Sequence, residues 1–144
     1  MSRRRLYVNV AVDDLERSVA FFTTLGFSFE PRFTDETATC MIVGEDAFVM
    51  LVTKAKFSEF TKKPIVDASH QTEVLLAISA ASREGVDELS EAALASGGSA
   101  ANDPIDHGFM YSRSFQDPDG HVWEVVWMDE AAAEPEAAQA GAAA

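Results

Sequence analysis

The sequence predicts an α+β fold built from two βαβββ modules in tandem. Three observations carry this. Runs rich in β-branched and aromatic residues alternate apolar with polar positions, the period of a half-buried strand. Two longer stretches follow the helical period and stop at glycine, one at Gly26 and the other at Gly97-Gly98. The same order of elements then occurs twice, although identity between the halves is faint.

Leu6 to Val12 reads as the first strand, with Tyr7, Asn9 and Ala11 on one face. Asp13 and Asp14 open a helix whose Leu15, Val19 and Phe22 fall on one side. Ser28 to Phe33, Thr37 to Val43 and Ala47 to Thr53 read as three further strands, with turn signals at Asp35-Glu36 and Gly44-Glu45-Asp46. These complete a first module, 6–53. Over 54–71 the pattern is lost. Phe57 and Phe60 suggest a short helical turn that Lys62-Lys63-Pro64 breaks, so this stretch is a connector.

The second module, 72–128, begins with a strand from Glu73 to Ser79. A helix from Ser82 to Ser96 follows, with Val86, Leu89 and Ala93 inward. Next come a short strand near Ser99 to Asn102 and a loop through Asp106-His107-Gly108. Phe109 to Gln116 and His121 to Trp127 close the set. Residues 129–144 are mostly alanine with four acids and no apolar face, and read as a solvated, disordered tail outside the single 1–128 domain.

The last two strands flank Asp117-Pro118-Asp119-Gly120, in which Asp117 can cap the turn, Pro118 presets φ and Gly120 takes a positive φ. A four-residue loop would set Arg113 opposite Glu124 and put Tyr111, Arg113, Phe115, Val122, Glu124 and Val126 on one face. Ser112, Ser114, Trp123, Val125 and Trp127 would take the other, with the two tryptophans packing on helices. A carboxylate within a Val/Trp-rich strand needs a partner, a metal or a wet cavity.

Composition narrows the function classes. A hydrophobic content of 47% fits a globular chain with a real core. The net charge of −13, and the −9 left when the four acids of the tail are removed, argue against nucleic acid and anionic membranes as partners. The single cysteine, Cys40, excludes an internal disulfide and reads as a small core residue. With no signal-peptide core and no stretch of membrane-spanning length, a soluble, cytoplasmic protein is expected.

The run Val12-Asp13-Asp14-Leu15-Glu16-Arg17-Ser18-Val19-Ala20-Phe21-Phe22, Leu25-Gly26-Phe27 after it, and Asp117-Pro118-Asp119-Gly120-His121-Val122-Trp123-Glu124 resemble the vicinal oxygen chelate superfamily, over roughly 6–128. That superfamily includes glyoxalase I, extradiol dioxygenases and bleomycin resistance proteins. The resemblance implies cupped mixed β-sheets with helices outside, and a homodimer or within-chain pairing of the cups. It also implies four metal seats, carried here by Tyr7, Met50, Glu73 and Glu124. The glyoxalase pattern has His, Glu, His and Glu there, and only Glu124 matches. Tyr7 and Met50 are poor ligands for a metal that prefers imidazole and carboxylate. No metal cofactor is therefore expected, unless a site has been rebuilt.

The candidate catalytic residues are Glu124 and Glu73, either of which would act as a general base in an apolar cavity. Against this stands a cross-strand Arg113–Glu124 pair, which would lower the carboxylate pKa. Tyr7, Asn9, Met50, Tyr111, Arg113 and Phe115 are candidate ligand-binding residues, together with His107 on the loop leading to the cavity strand. His121 reads as a solvent or turn-packing residue, and His70 lies in the connector with no assigned site. Three functions follow. One is a metal-free small-molecule binder of the bleomycin-resistance kind, for which an acidic body suits a cationic ligand. Another is an enzyme of the same superfamily, a lyase, isomerase or dioxygenase using Glu73 or Glu124. The third is a structural dimer module with no ligand.

Overall fold

The computed structural model describes residues 3–131, so nearly all of the expected tail lies outside the described residues. β1 (Leu6–Val12), α1 (Leu15–Thr24), β2 (Ser28–Glu30), β3 (Ala38–Gly44) and β4 (Ala47–Thr53) form the first module. The connector holds one short helix, α2 (Lys54–Phe57), and a 3-10 turn over Ser58–Phe60. The second module comprises β5 (Leu75–Ser79), α3 (Arg83–Ala95), β6 (Ser99–Ala100), β7 (Ile105–Asp106), β8 (Met110–Gln116) and β9 (Val122–Met128).

Each module makes one mixed sheet, in the orders β1-β4-β3-β2 and β5-β9-β8-β6, with β7 paired to β8. In both, the first strand runs parallel to the last, and the remaining pairs are antiparallel. The expected α+β architecture is therefore present. Local differences have local causes. The strand expected from Ser28 to Phe33 ends at Glu30 because Pro31 starts a 3-10 turn, capped by the Glu30 carboxylate on the Arg32 N–H. Ile105–Asp106, expected as loop, pairs with Ser112 and Tyr111 of β8.

The core lies where α1 and α3 pack on the sheets. Asp14 caps α1 by accepting from the Arg17 N–H, and Gly26 leaves the helix at φ 100°. The buried side of α1 is Ser18, Phe21 and Phe22, rotated from the expected stripe so that two phenylalanines face the second sheet. The Phe22 ring lies 5.1 Å from that of Trp123, and the Phe21 ring 6.1 Å from that of Phe115. These four side chains join the modules into one core with Val10, Val12, Leu51, Met41 and Val86. Burying each of the large ones is worth roughly 2–3 kcal/mol.

Candidate functional site

The two sheets each have a helix side and an open side, and register decides which residues face which. In the first sheet, Tyr7 pairs with Phe48 and Asn9 with Met50, so these four share the side turned away from the core residues Val8, Val10 and Val49. Tyr7 is 40% exposed and its ring stacks on Phe48 with centroids 4.9 Å apart and 14° between planes. Phe57, Thr61 and residues 63–66 of the connector flank this side, lining a pocket of about 210 Å³ with Asn9, Ala11, Glu73 and His121.

The second sheet corrects the expected faces. Asp117 N–H donates to His121 O, and Gly120 N–H to Asp117 O, with Gly120 at φ 99°. The positive-φ glycine adds one residue to the hairpin, as in a glycine bulge. The slip by one places Ser114 opposite Glu124, Arg113 opposite Val125 and Phe115 opposite Trp123. A one-residue slip turns one strand's side chains over relative to the other. Tyr111, Arg113 and Phe115 therefore share the helix side with Trp123, Val125 and Trp127, and the expected Arg113–Glu124 pair does not form. Arg113 instead donates to Asp87 Oδ1 at 3.1 Å and Glu91 Oε1 at 2.8 Å, both on α3. The Tyr111 hydroxyl donates to Asp87 Oδ1 at 2.6 Å, and these two donors hold the Asp87 carboxyl below its usual range. Phe115 is fully buried.

Glu124 remains on the open side, between Ser114 on β8 and Ala77 on β5. Glu73 does not join it. β5 begins only at Leu75, so the open-side positions beside Glu124 belong to Leu75 and Ala77. Glu73 sits in the bend before the strand, with Oε1 2.7 Å from His121 Nδ1. His107 lies on the loop after β7, its ring 6.3 Å from that of Phe109. His121, expected in a solvent or turn-packing place, is buried at 4% exposure.

The donor set does not fit a glyoxalase-type divalent metal. The seats hold a stacked phenol, a thioether, the aliphatic Leu75 or Ala77, and one carboxylate, with no imidazole among them. Asp117, Asp119 and His121 form a second cluster, with ligand-type atoms within 4.8 Å of one another. Each of the two carboxylates already accepts three hydrogen bonds from the protein. Asp117 accepts from Trp123 Nε1 at 3.1 Å and from the Asp119 and His121 N–H groups at 3.0 Å each. Asp119 accepts from Asp13 N–H at 2.8 Å, and from Arg17 and Ser18 at 3.3 Å each. This cluster ties the closing turn to α1 and β9. Burial pushes the Asp117 carboxyl up, while the His121 charge and the Trp123 N–H act against it.

A family model described as bleomycin resistance protein-like N-terminal matches residues 4–44. Among solved structures, a hypothetical protein of S. aureus is similar at 24% identity, TM-score 0.73, over 88% of this chain and 95% of its own. A glyoxalase/bleomycin resistance protein/dioxygenase family enzyme of Burkholderia phytofirmans aligns at 18% identity, TM-score 0.70, over 85% and 96%. A glyoxalase-related enzyme of Fulvimarina pelagi aligns at 19%, TM-score 0.72, over 88% of each chain. No curated protein matches. The chain has the fold of these neighbours, and residues 4–44 are similar to the bleomycin resistance protein-like N-terminal family. No helix among the described residues is long and apolar enough to cross a membrane.

Proposed function

We propose that this protein binds a planar, cationic small molecule without a metal, in the manner of bleomycin-resistance proteins. The observation that carries the reading is the content of the seats where glyoxalase-type members would ligate metal. They offer a half-exposed Tyr7–Phe48 stack with Met50 and Asn9 beside it, a surface suited to aromatic ligands and unsuited to a divalent ion. Glu124 is the one charged side chain on the open side of the second sheet's described strands, and a carboxylate near aromatic faces favours a cation. Tyr7 and Glu124 belong to different sheets. A second copy, laying its second module on the first module of its partner, would join them in one cup.

The test is a melting scan and fluorescence titration with bleomycin and with proflavine, alongside Ni²⁺, Zn²⁺, Mn²⁺ and Fe²⁺, on protein purified without chelator or affinity metal. The expected result is stabilisation by an organic cation and none by metal. Tyr7→Ala should weaken that binding about tenfold, the loss of one aromatic contact of about 1.4 kcal/mol. Stoichiometric metal that Glu124→Gln removes would overturn the reading.

One observation favours a second reading. Arg113 is held by α3, so among the described residues it leaves Glu124 without the cross-strand cation and able to serve as a general base in a proton-transfer reaction. Turnover of an α-hydroxy or α-keto thioester that Glu124→Gln abolishes would select it.

A further inference from the structure

The turn between β8 and β9 is where both modules and the connector meet. His121 is its buried centre, with 2% of its side chain exposed. Nε2 lies 2.7 Å from the carbonyl oxygen of Ala11 at the end of β1. A carbonyl only accepts, so Nε2 carries a hydrogen. Nδ1 lies 2.7 Å from Glu73 Oε1, at an angle too bent for a directed hydrogen bond. A neutral Nε2–H imidazole would hold an electron-rich Nδ1 against that carboxylate oxygen, setting two acceptors in contact. The contact is favourable when the ring is protonated, as an ion pair of imidazolium and carboxylate.

The charged groups around the ring agree with this. Asp117 and Asp119 face it from its own turn, and Glu73 from the bend before β5. Lys63 of the connector lines the same cavity. From the first module, β1 presents the Ala11 carbonyl. Arg17 of α1 is engaged with Asp119, and Asp13 with Lys54 at 2.7 Å. Burial by itself lowers the His121 pKa, but Asp117, the Ala11 carbonyl, Glu73 and Asp119 together carry it above its ordinary value.

We propose that His121 is a proton-dependent clasp between the modules. Protonated, it ties the end of β1 and the bend before β5 to the closing turn, and holds the Glu73 wall of the cavity beneath the connector. Loss of the proton releases Glu73 and loosens that wall. A group whose pKa is raised on folding contributes its full stability below the unfolded value and loses it as pH rises through the folded value. The clasp therefore weakens upward from the ordinary histidine range, near pH 6.5.

The test compares melting of the full-length protein and of Glu73→Gln from about pH 6 to 9, the range in which histidine charge changes. A Gln amide can donate to neutral Nδ1, so the variant keeps the contact without the proton. Across this range the wild-type melting temperature should fall about 3 °C more than that of the variant. Contributions from groups the substitution does not touch are common to both proteins and cancel in the difference. Parallel curves would overturn the clasp. Nitrogen NMR of the wild-type imidazoles decides the matter even if the variant fails to fold. His121 should carry hydrogen on both nitrogens at pH 6.5, and a neutral single tautomer there would equally overturn the proposal.

Discussion

At the scale of residues, the closing turn is the most constrained place in the chain. Gly120 has a φ of 99°, and a Cβ there would lie 2.5 Å from the carbonyl oxygen of Ala68, which is backbone and cannot swing aside. Gly120→Ala should therefore cost about 2 kcal/mol or more, from strain and from displacing the connector. Asp119, one residue earlier, accepts from the first turn of α1 and from Asp13 with only 4% of its side chain exposed. Asp119→Ala leaves those donors unanswered and should cost about 1–3 kcal/mol. Denaturant melts of the two single variants and the double check both values. The double should fall short of their sum, because neighbouring residues in one network do not add.

At the scale of elements, the β8–β9 hairpin shows how one residue sets the use of a whole strand. The bulge at Gly120 sends Arg113 to α3 and leaves Glu124 alone on the open side. Arg113 is 18% exposed while its partners Asp87 and Glu91 are at least half exposed, which keeps the ion pairs modest. Arg113→Ala should lower stability by about 1 kcal/mol and leave the affinity for an organic cation unchanged. A large loss of ligand affinity in isothermal titration would place Arg113 in the binding surface instead. α1 works in the opposite direction, towards cohesion. Its Phe22 reaches both sheets' buried side chains, and Phe22→Ala should cost about 3–5 kcal/mol, measured by urea unfolding.

At the scale of the molecule, the modules share a core on their helix sides and leave their other sides partly open, with Tyr7 40% and Leu75 59% exposed. The reading proposed above joins these sides across a second copy. Light scattering should then report a mass near twice 15.6 kDa. Leu75→Glu, placing a charge in that contact, should shift the mass towards one chain and weaken ligand binding together. A monomer that binds the cation as tightly as the untouched protein would separate binding from pairing.

The sequence by itself determined the element order, the two-module plan and the glycine stops, because periodicity and turn chemistry are local and each of them is written within a few residues. It also put Tyr7, Asn9 and Ala11 on one face of the first strand, since alternation is readable wherever the strand falls. The burial of Cys40 and of Trp123 followed from the same local patterns. Only the tertiary structure decided the phase of the last hairpin. Alternation has the same period in either register, and a single bulged residue reverses its meaning. Glu73 left the strand because its partner is His121, whose other nitrogen bonds a carbonyl 110 residues away in the chain. No local pattern encodes a contact of that range. It arises when packing of the two modules buries a polar ring and so requires partners for both of its nitrogens.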